Sequence, residues 1–403
     1  MSTPPLAIWI SGAKVATLTA AGRSTTRRLT LTYEPHLRAG EPVLSVGLPV
    51  SARPITGPRV HAYFNGLLPE GEARAMLAYD FGQIDPADVM AMLAALGRDC
   101  AGALVIVPDG ERVAPAGRGL AIDDAEISQR LARLHIEPLG ADARIRVSLA
   151  GVQAKLLLAC DEAGWKLPVD GAPSTHILKP AMRQFRDSVA IEAFSLEFAR
   201  RLGVITTQSR IGNFAGRQAL VVERYDREST TDGVTRIHQE DFCQAFGIEP
   251  AQKYQQQGGP SLAQCAGLLR EVARPADVFG LLDAAVVTVL LGNAGAHGKN
   301  LSLLHRGRDI ALAPLYDLLI TFHDGEIDST MGMTIGGEVD VMRVQLSHVR
   351  DEARAWGLPA AQVDARVAEL CTRVPDALAA ATRAVALPDE VAAALDGRIR
   401  QLL

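Results

Sequence analysis

Chemistry-bearing side chains are concentrated in the stretch Gly292-Asn293-Ala294-Gly295-Ala296-His297-Gly298-Lys299-Asn300, with Asp317 following in Pro314-Leu315-Tyr316-Asp317. Before it, Phe279 to Leu291 is almost wholly apolar and reads as a buried helix; after it, Leu301-Ser302-Leu303-Leu304 reads as a short strand. The loop between these anchors carries a His, a Lys and an Asn with no obvious packing role. A second stretch, Ser148-Leu149-Ala150-Gly151-Val152-Gln153-Ala154-Lys155, is a small-residue loop leading into the strand Leu156–Cys160. Such a loop lets backbone N–H groups approach phosphate oxygens, and Lys155 can add charge, although plain turns have the same composition. A third, Ser174 to Pro180, reads as a strand ending in Lys179, a cation that could meet a phosphate or simply be solvated.

Phosphoryl-transfer loops of the kinase type place a base five residues before a metal-binding Asn, and a metal-binding Asp follows on a later strand. Asn300 and Asp317 fit the two metal ligands. Counting back five from Asn300 reaches Gly295, where a carboxylate should stand. Glycine can neither accept a hydroxyl proton nor orient an attacking oxygen.

The loop resembles that of the HipA family, the serine/threonine kinase toxins of bacterial toxin–antitoxin pairs, whose pattern is Gly-Asn-x-Asp-[Ala/Gly]-His-x-Lys-Asn. Every position except the Asp is matched. The segment from Ser148 to Lys155 resembles the family's Ser-[Ile/Val/Leu]-Ala-Gly-x-Gln-x-Lys, and Val222-Glu223-Arg224-Tyr225-Asp226-Arg227 matches Val-Glu-Arg-[Phe/Tyr]-Asp-Arg in full. These motifs recur in the family's order over nearly the whole chain.

The resemblance implies an α+β, two-lobed protein-kinase-like fold with a β-rich N-terminal region and a helical C-terminal lobe, binding Mg-ATP in the cleft between lobes. It assigns ATP contacts to Ala150, Gly151, Val152, Gln153, Ala154, Lys155, Lys179, Glu223, Arg224, Tyr225, His297, Gly298, Lys299, Asn300, Tyr316 and Asp317. Asn300 and Asp317 would hold Mg²⁺, His297 and Lys299 would line the phosphate side, Glu223 to Tyr225 would face the adenine, and Ser148 would be the autophosphorylation site. A salt-bridged strand end is the structural alternative for the Glu223 to Tyr225 segment. Glu192 or Glu197 is a candidate partner for Lys179, with a surface position the alternative for either.

The family's substrates are aminoacyl-tRNA synthetases, whose phosphorylation causes growth arrest or persistence, and its partner is a small helix-turn-helix antitoxin, HipB, that carries operator DNA binding. With Gly295, the chain reads as a kinase disabled at one position. The alternative is a natural pseudokinase that binds ATP and acts as corepressor with a HipB-like antitoxin. A metabolic kinase of related fold is disfavoured by the Ser148 loop.

The positioning elements follow from periodicity. Residues 6–10 and 13–18 predict a strand pair turning at Ser11-Gly12, and Leu29, Leu31 and Tyr33 alternate with Thr30 and Thr32 as in a half-buried strand. Val43–Val50 reads as a strand, His61 to Gly71 as a turn feeding a helix from about Glu72, and Asp85-Pro86 as the start of a helix ending at Gly97. A strand from Cys100 to Val107, a helix from Asp123 to His135, and helices over 188–202, 261–273 and 275–291 follow. Three or four more, with starts at Pro359 and Pro388, complete the chain. The domains are drawn as 1–135, an N-terminal α+β subdomain; 136–228, the ATP-binding lobe; and 229–403, the helical lobe.

Composition bounds the rest. A chain of 403 residues with 48% hydrophobic residues can bury a sizeable core. Lys and Arg number 41 against 46 Asp and Glu, a net charge of −5, so no global basic field advertises nucleic acid, and DNA contact would fall to a basic partner. Five scattered cysteines without a Cys-x-x-Cys argue against zinc or disulfides and for a reducing compartment. Neither a signal peptide nor a membrane span is read, which predicts a cytoplasmic protein.

Overall fold

The computed structural model describes residues 4–22, 28–111, 113, 118–138, 148–151, 153–182, 184–185, 187–231, 233–323 and 328–403. Two compact units emerge: Met1–Pro180 with Gly212–Ala251 and Leu304–Arg308, and Ala181–Ile211 with Gln252–Leu303 and Asp309–Leu403.

The first unit is rich in sheet. Leu6–Ile10, Ala13–Ala21, Arg28–Tyr33, Ile55–Thr56 and Leu104–Pro108 form an antiparallel sheet in the order 55–56, 28–33, 13–21, 6–10, 104–108. Ser11 and Gly12 both take positive φ (50° and 79°), the backbone of the tight hairpin turn whose twist matches the flanking strands. Leu29, Leu31 and Tyr33 are buried as the alternation predicts. They share a core with Leu6, Ile8, Tyr63, Phe64, Leu93 and Ile106.

A second sheet runs in the order Ser209–Phe214, Arg217–Glu223, His176–Lys179, Leu156–Asp161, Gly164–Val169, Arg118–Ala121. Lys179 pairs with Leu220, and His176 pairs with Glu223.

Three local expectations are corrected. Val43–Val50 is not a strand. Several of its backbone groups are met by side chains: Tyr63 Oη donates to Leu44 O at 2.9 Å, His238 Nε2 bonds the same carbonyl at 2.7 Å, and Val46 N–H donates to Glu240 Oε1 at 2.9 Å. A segment so held needs no ladder partner. The helix expected at Asp85-Pro86 begins instead at Val89, where Asp88 Oδ1 caps Ala91 N–H at 3.2 Å. His61–Asn65 lies inside its own helix, Pro58–Asn65, with proline in the first turn.

The second unit is mostly helical: Ser188–Arg201, Leu262–Val272, Pro275–Leu291, Leu346–Ala355, Ala360–Ala384 and Asp389–Leu402. Ser261 and Gln264 form a reciprocal capping box, and Pro275 opens the most apolar helix of this unit. Arg366 grips the nearly buried Asp283 of that helix with two bonds of 2.8 and 2.6 Å, the geometry that makes one carboxylate tolerable in an apolar face. Short strands, Ser302–Arg306 and Thr330–Ile335 among them, follow the chemistry-bearing loop. Among the described residues, no helix is long and apolar enough to cross a membrane.

Candidate active site

The loop after the helix Pro275–Leu291 begins with a forced glycine. Gly292 closes the helix at φ 65°, and a Cβ there would lie 2.3 Å from Phe322 Cδ1. Thr321 then staples the loop. Its hydroxyl donates to Gly292 O at 2.9 Å and accepts from Ala294 N–H at 2.8 Å. Gly332 N–H donates to Ala294 O at 2.7 Å, and a Cβ on Gly332 would sit 2.5 Å from Ala296 O, so the strand Thr330–Ile335 passes where only glycine fits. Gly298 N–H donates to Lys253 O at 3.2 Å.

Within this frame the polar groups converge. Asn300 Oδ1 accepts from His297 N–H at 3.1 Å, and Asn300 Nδ2 donates to Asp317 Oδ2 at 3.1 Å. Asp317 takes φ 58°, an uncommon conformation for a residue with a side chain and one that clusters at functional sites. Its approach is fixed by Leu315, which exchanges backbone bonds of 2.9 Å with Ile205 and Thr207. Tyr316 Oη donates to Lys299 O at 2.6 Å and lies 2.7 Å from Ser302 Oγ.

His297 meets the edge of Tyr254, with ring centroids 5.0 Å apart. Burial, and then the Lys253 charge, pushes its pKa down to about 4, so the imidazole is neutral at pH 7 and a weak base. Beneath the loop, Thr288, Asn293, His297, Asn300, Asp317 and apolar neighbours line a cavity of about 30 Å³.

Asn300 and Asp317 bring an amide and a carboxylate side by side, with the amide Nδ2 on Asp317 and the amide oxygen on His297 N–H. That donor set suits Mg²⁺, which prefers hard oxygens and draws its remaining ligands from phosphate and water. Among the described residues, no cluster of three or more His, Cys, Asp or Glu could hold a metal unaided.

Gly295 differs from the glycines around it. It is exposed, lies outside the left-handed region, and a Cβ there would meet only Asn293 Oδ1, at 3.4 Å. Asn293 Oδ1 accepts Gly295 N–H at 3.0 Å, closing a turn that any residue could continue. The backbone at 295 does not require glycine.

In the first unit, Ser148 is fully buried. Its hydroxyl donates to Leu67 O at 2.7 Å and its N–H to Asp99 O at 3.0 Å. Gly151 bridges Pro69, and Lys155 Nζ donates to Ala150 O at 2.5 Å, so the loop's own lysine folds back over it. Gln153 reaches Pro180 O at 3.5 Å, and Ala154 packs on the core; Val152 lies outside the described residues. Lys179 is buried at the end of its strand.

Of the Glu223 to Tyr225 segment, Glu223 is exposed and Tyr225 bonds Gln239. Arg224 is committed to the fold: its N–H donates to Thr175 O at 2.9 Å, and its guanidinium is gripped by Asp226 at 2.9 and 2.7 Å. Of the two glutamates weighed for Lys179, Glu197 is held by Arg200 and Arg201, both at 2.7 Å. Glu192 is only 2% exposed, which corrects the surface position considered for it.

The sequence singled out His297, Lys299, Asn300, Tyr316 and Asp317, which the structure places near one another. It gave no sign of the Thr321 staple, because a lone threonine in a loop carries no pattern. Gly332 lies in the glycine-bearing Met331-Gly-Met-Thr-Ile-Gly-Gly337 run, where the signal was visible but its purpose was not.

Known proteins resemble this chain over most of its length. Residues 6–107 match the model of the HipA N-terminal domain, and residues 147–378 that of the HipA-like C-terminal domain. A Sinorhizobium fredii protein, Y4mE, is 40% identical over 345 residues, 83% of this chain and 82% of that protein. The serine/threonine-protein kinase toxin HipA of Shewanella oneidensis is 28% identical over 339 residues, 80% of this chain and 77% of that one. A solved Shewanella oneidensis complex of HipA, HipB and operator DNA superposes with a TM-score of 0.83 at 25% identity, covering 99% of this chain and 96% of that chain. The α+β architecture is that of a HipA-type kinase, and the chain belongs to the HipA family.

Proposed function

We propose that this protein is a HipA-type serine/threonine kinase toxin that binds Mg-ATP but does not transfer phosphate, because Gly295 stands where the catalytic carboxylate belongs. The observation that carries this reading is the contrast inside one loop. Gly292 and Gly332 are forced by their neighbours, whereas Gly295 has an ordinary backbone and open space for a side chain. The frame for a carboxylate is kept and the carboxylate is missing.

Asn300 and Asp317 hold the metal in this reading, Lys155 and Lys179 serve the phosphates, and Glu223 to Tyr225 lie on the adenine side. Bound Mg²⁺ supplies charge neutralisation on the phosphate oxygens. Lys299 adds positive charge, while neutral His297 offers a hydrogen bond and is too weakly basic to replace the carboxylate. Ser148 is the autophosphorylation site. Its buried hydroxyl has no room for a phosphate, so modification requires the loop to undock. By family, the protein substrate is an aminoacyl-tRNA synthetase, and the partner is a HipB-like helix-turn-helix antitoxin that brings the complex to operator DNA. The net charge of −5 suits that division of labour.

Radiolabelled ATP tests the reading directly. The chain is expected to bind Mg-ATP and leave Ser148 and synthetases unlabelled. Gly295→Asp is expected to raise phosphoryl transfer by about 10²–10⁴-fold, the usual worth of a positioned base. Labelling by the unaltered chain would refute the reading. Failure of Gly295→Asp to gain activity would favour a pseudokinase acting as corepressor.

A further inference from the structure

Three arginines and two aspartates cluster in the first unit, with the side chains of all but Arg236 buried. Asp99 Oδ2 accepts from Ser174 N–H at 3.0 Å and Ser174 Oγ at 2.6 Å, while Oδ1 accepts from Arg227 at 2.9 Å and from Arg236 at 3.2 and 3.1 Å. Arg224 lies 3.6 Å from the same carboxylate. Asp226 pairs with Arg224 and Arg227 and caps Gly102 N–H at 2.7 Å. Other guanidinium N–H groups end on carbonyls of Cys100, Gly102, Gly171, Ser174 and Asp226 and on Ser174 Oγ. Burial alone would raise the Asp99 pKa, but Arg227, Arg236 and Arg224 outweigh it and hold the carboxyl down at about 2.

Asp99 belongs to the N-terminal domain, in the turn after the helix Val89–Leu96, yet it touches two segments of the other domain. Its carboxylate fixes Arg224 and Arg227, directly after the strand Arg217–Glu223, and its carbonyl accepts the Ser148 N–H. The neighbouring Leu67–Glu70 segment completes the dock, taking the Ser148 hydroxyl on Leu67 O and pairing with Gly151 through Pro69 and Glu70. The run Asn65 to Gly71, which in sequence reads as a turn feeding a helix, is therefore also one wall of the Ser148 dock.

We infer that Asp99 is a positioning residue for the nucleotide, ordering the Ser148 loop and the Glu223 to Tyr225 segment at once, so that the N-terminal domain sets how tightly ATP is held. This rests on the reading of those two segments as the nucleotide side. Loss of the Asp99 charge leaves Asp226, which pairs with Arg224 and Arg227, as the one carboxylate of the cluster and takes the carboxylate partner from Arg236. The turn at 99–102 must then shift, and both segments loosen with it.

The test compares the full chain with Asp99→Asn and Arg236→Gln by hydrogen–deuterium exchange and by calorimetric titration with Mg-ATP. In Asp99→Asn, exchange at residues 148–151 is expected to rise about tenfold or more while the helix Pro275–Leu291 stays protected, and the Kd for Mg-ATP to rise with it. Arg236→Gln should act in the same direction and less, since Arg236 supplies one of three cations and is the most exposed of them. Unchanged exchange at 148–151 in a folded variant overturns the inference, even if affinity falls. Should Asp99→Asn fail to fold, Arg236→Gln decides by the same two outcomes. An unaltered chain that does not bind Mg-ATP refutes the nucleotide reading instead, and loop exchange then judges the ordering role of Asp99 by itself.

Discussion

The loop 292–300 and the cluster around Asp99 are both dense in polar contacts, yet they are held by different physics. The loop hangs on neutral main-chain and hydroxyl bonds: Thr321 to Gly292 and Ala294, Gly332 to Ala294, Asn293 to Gly295. The cluster hangs on charge, with Asp99, Asp226 and Arg224 each at most 2% exposed at their side chains. A frame of neutral bonds can lose a functional side chain and keep its shape. A buried ionic frame cannot lose a member without leaving its partner charged in a low dielectric. This is why one position in the loop can be glycine while the charged residues of Val-Glu-Arg-Tyr-Asp-Arg, apart from exposed Glu223, are all engaged inside the fold.

The largest effect expected from this contrast is at Asp226. Its carboxyl sits well below the usual range because Arg224 and Arg227 overcome the burial that would raise it. Asp226→Ala removes the main partner of a buried guanidinium and leaves Gly102 N–H without its acceptor. A loss of about 3–5 kcal/mol is expected, read as a fall in the urea midpoint at unchanged slope. A loss below about 1 kcal/mol would mean that Arg224 finds other partners, and the contrast with the loop would disappear.

Next is Thr321, the loop's own keystone. Thr321→Val keeps the shape and removes both hydroxyl bonds, leaving Ala294 N–H buried without an acceptor. A cost of about 1–3 kcal/mol is expected, with faster amide exchange confined to residues 292–296. Global loosening would show that the loop is not an independent frame.

How much of this could be read from the chain depended on whether the stabilising contact was local in sequence. The hairpin at Ser11-Gly12, the helix opening at Asp123, and the helix ending at Gly292 are set by neighbours a few residues away, and the sequence pattern found them. Val43–Val50 misled because its partners, Tyr63, His238 and Glu240, lie up to 194 residues away. The Asn300–Asp317 pair was legible because chemistry restricts the residue types and their spacing. Asp99 was not, since a single aspartate before a cysteine has no signature until Arg224, Arg227 and Arg236 are folded onto it. Arg224 itself was read on the adenine side with a salt-bridged strand end as the alternative, and its side chain takes the second role.

The smallest effect should come from Gly295, and its smallness is what matters. A methyl group there meets only Asn293 Oδ1 at the outer limit of a tight contact, and the φ lies outside the region that penalises side chains. Gly295→Ala removes backbone freedom from the unfolded chain without straining the folded one. It should therefore leave stability unchanged or raise it by about 0.4–1 kcal/mol. Gly332→Ala is the control, because its methyl would press on Ala296 O from 2.5 Å and force the strand or the loop to move. If the two substitutions cost the same, position 295 is under a backbone constraint that its geometry does not reveal, and glycine there is structural. If Gly295→Ala is neutral while Gly332→Ala is costly, the loop frame does not depend on glycine at 295 and has room for a side chain there.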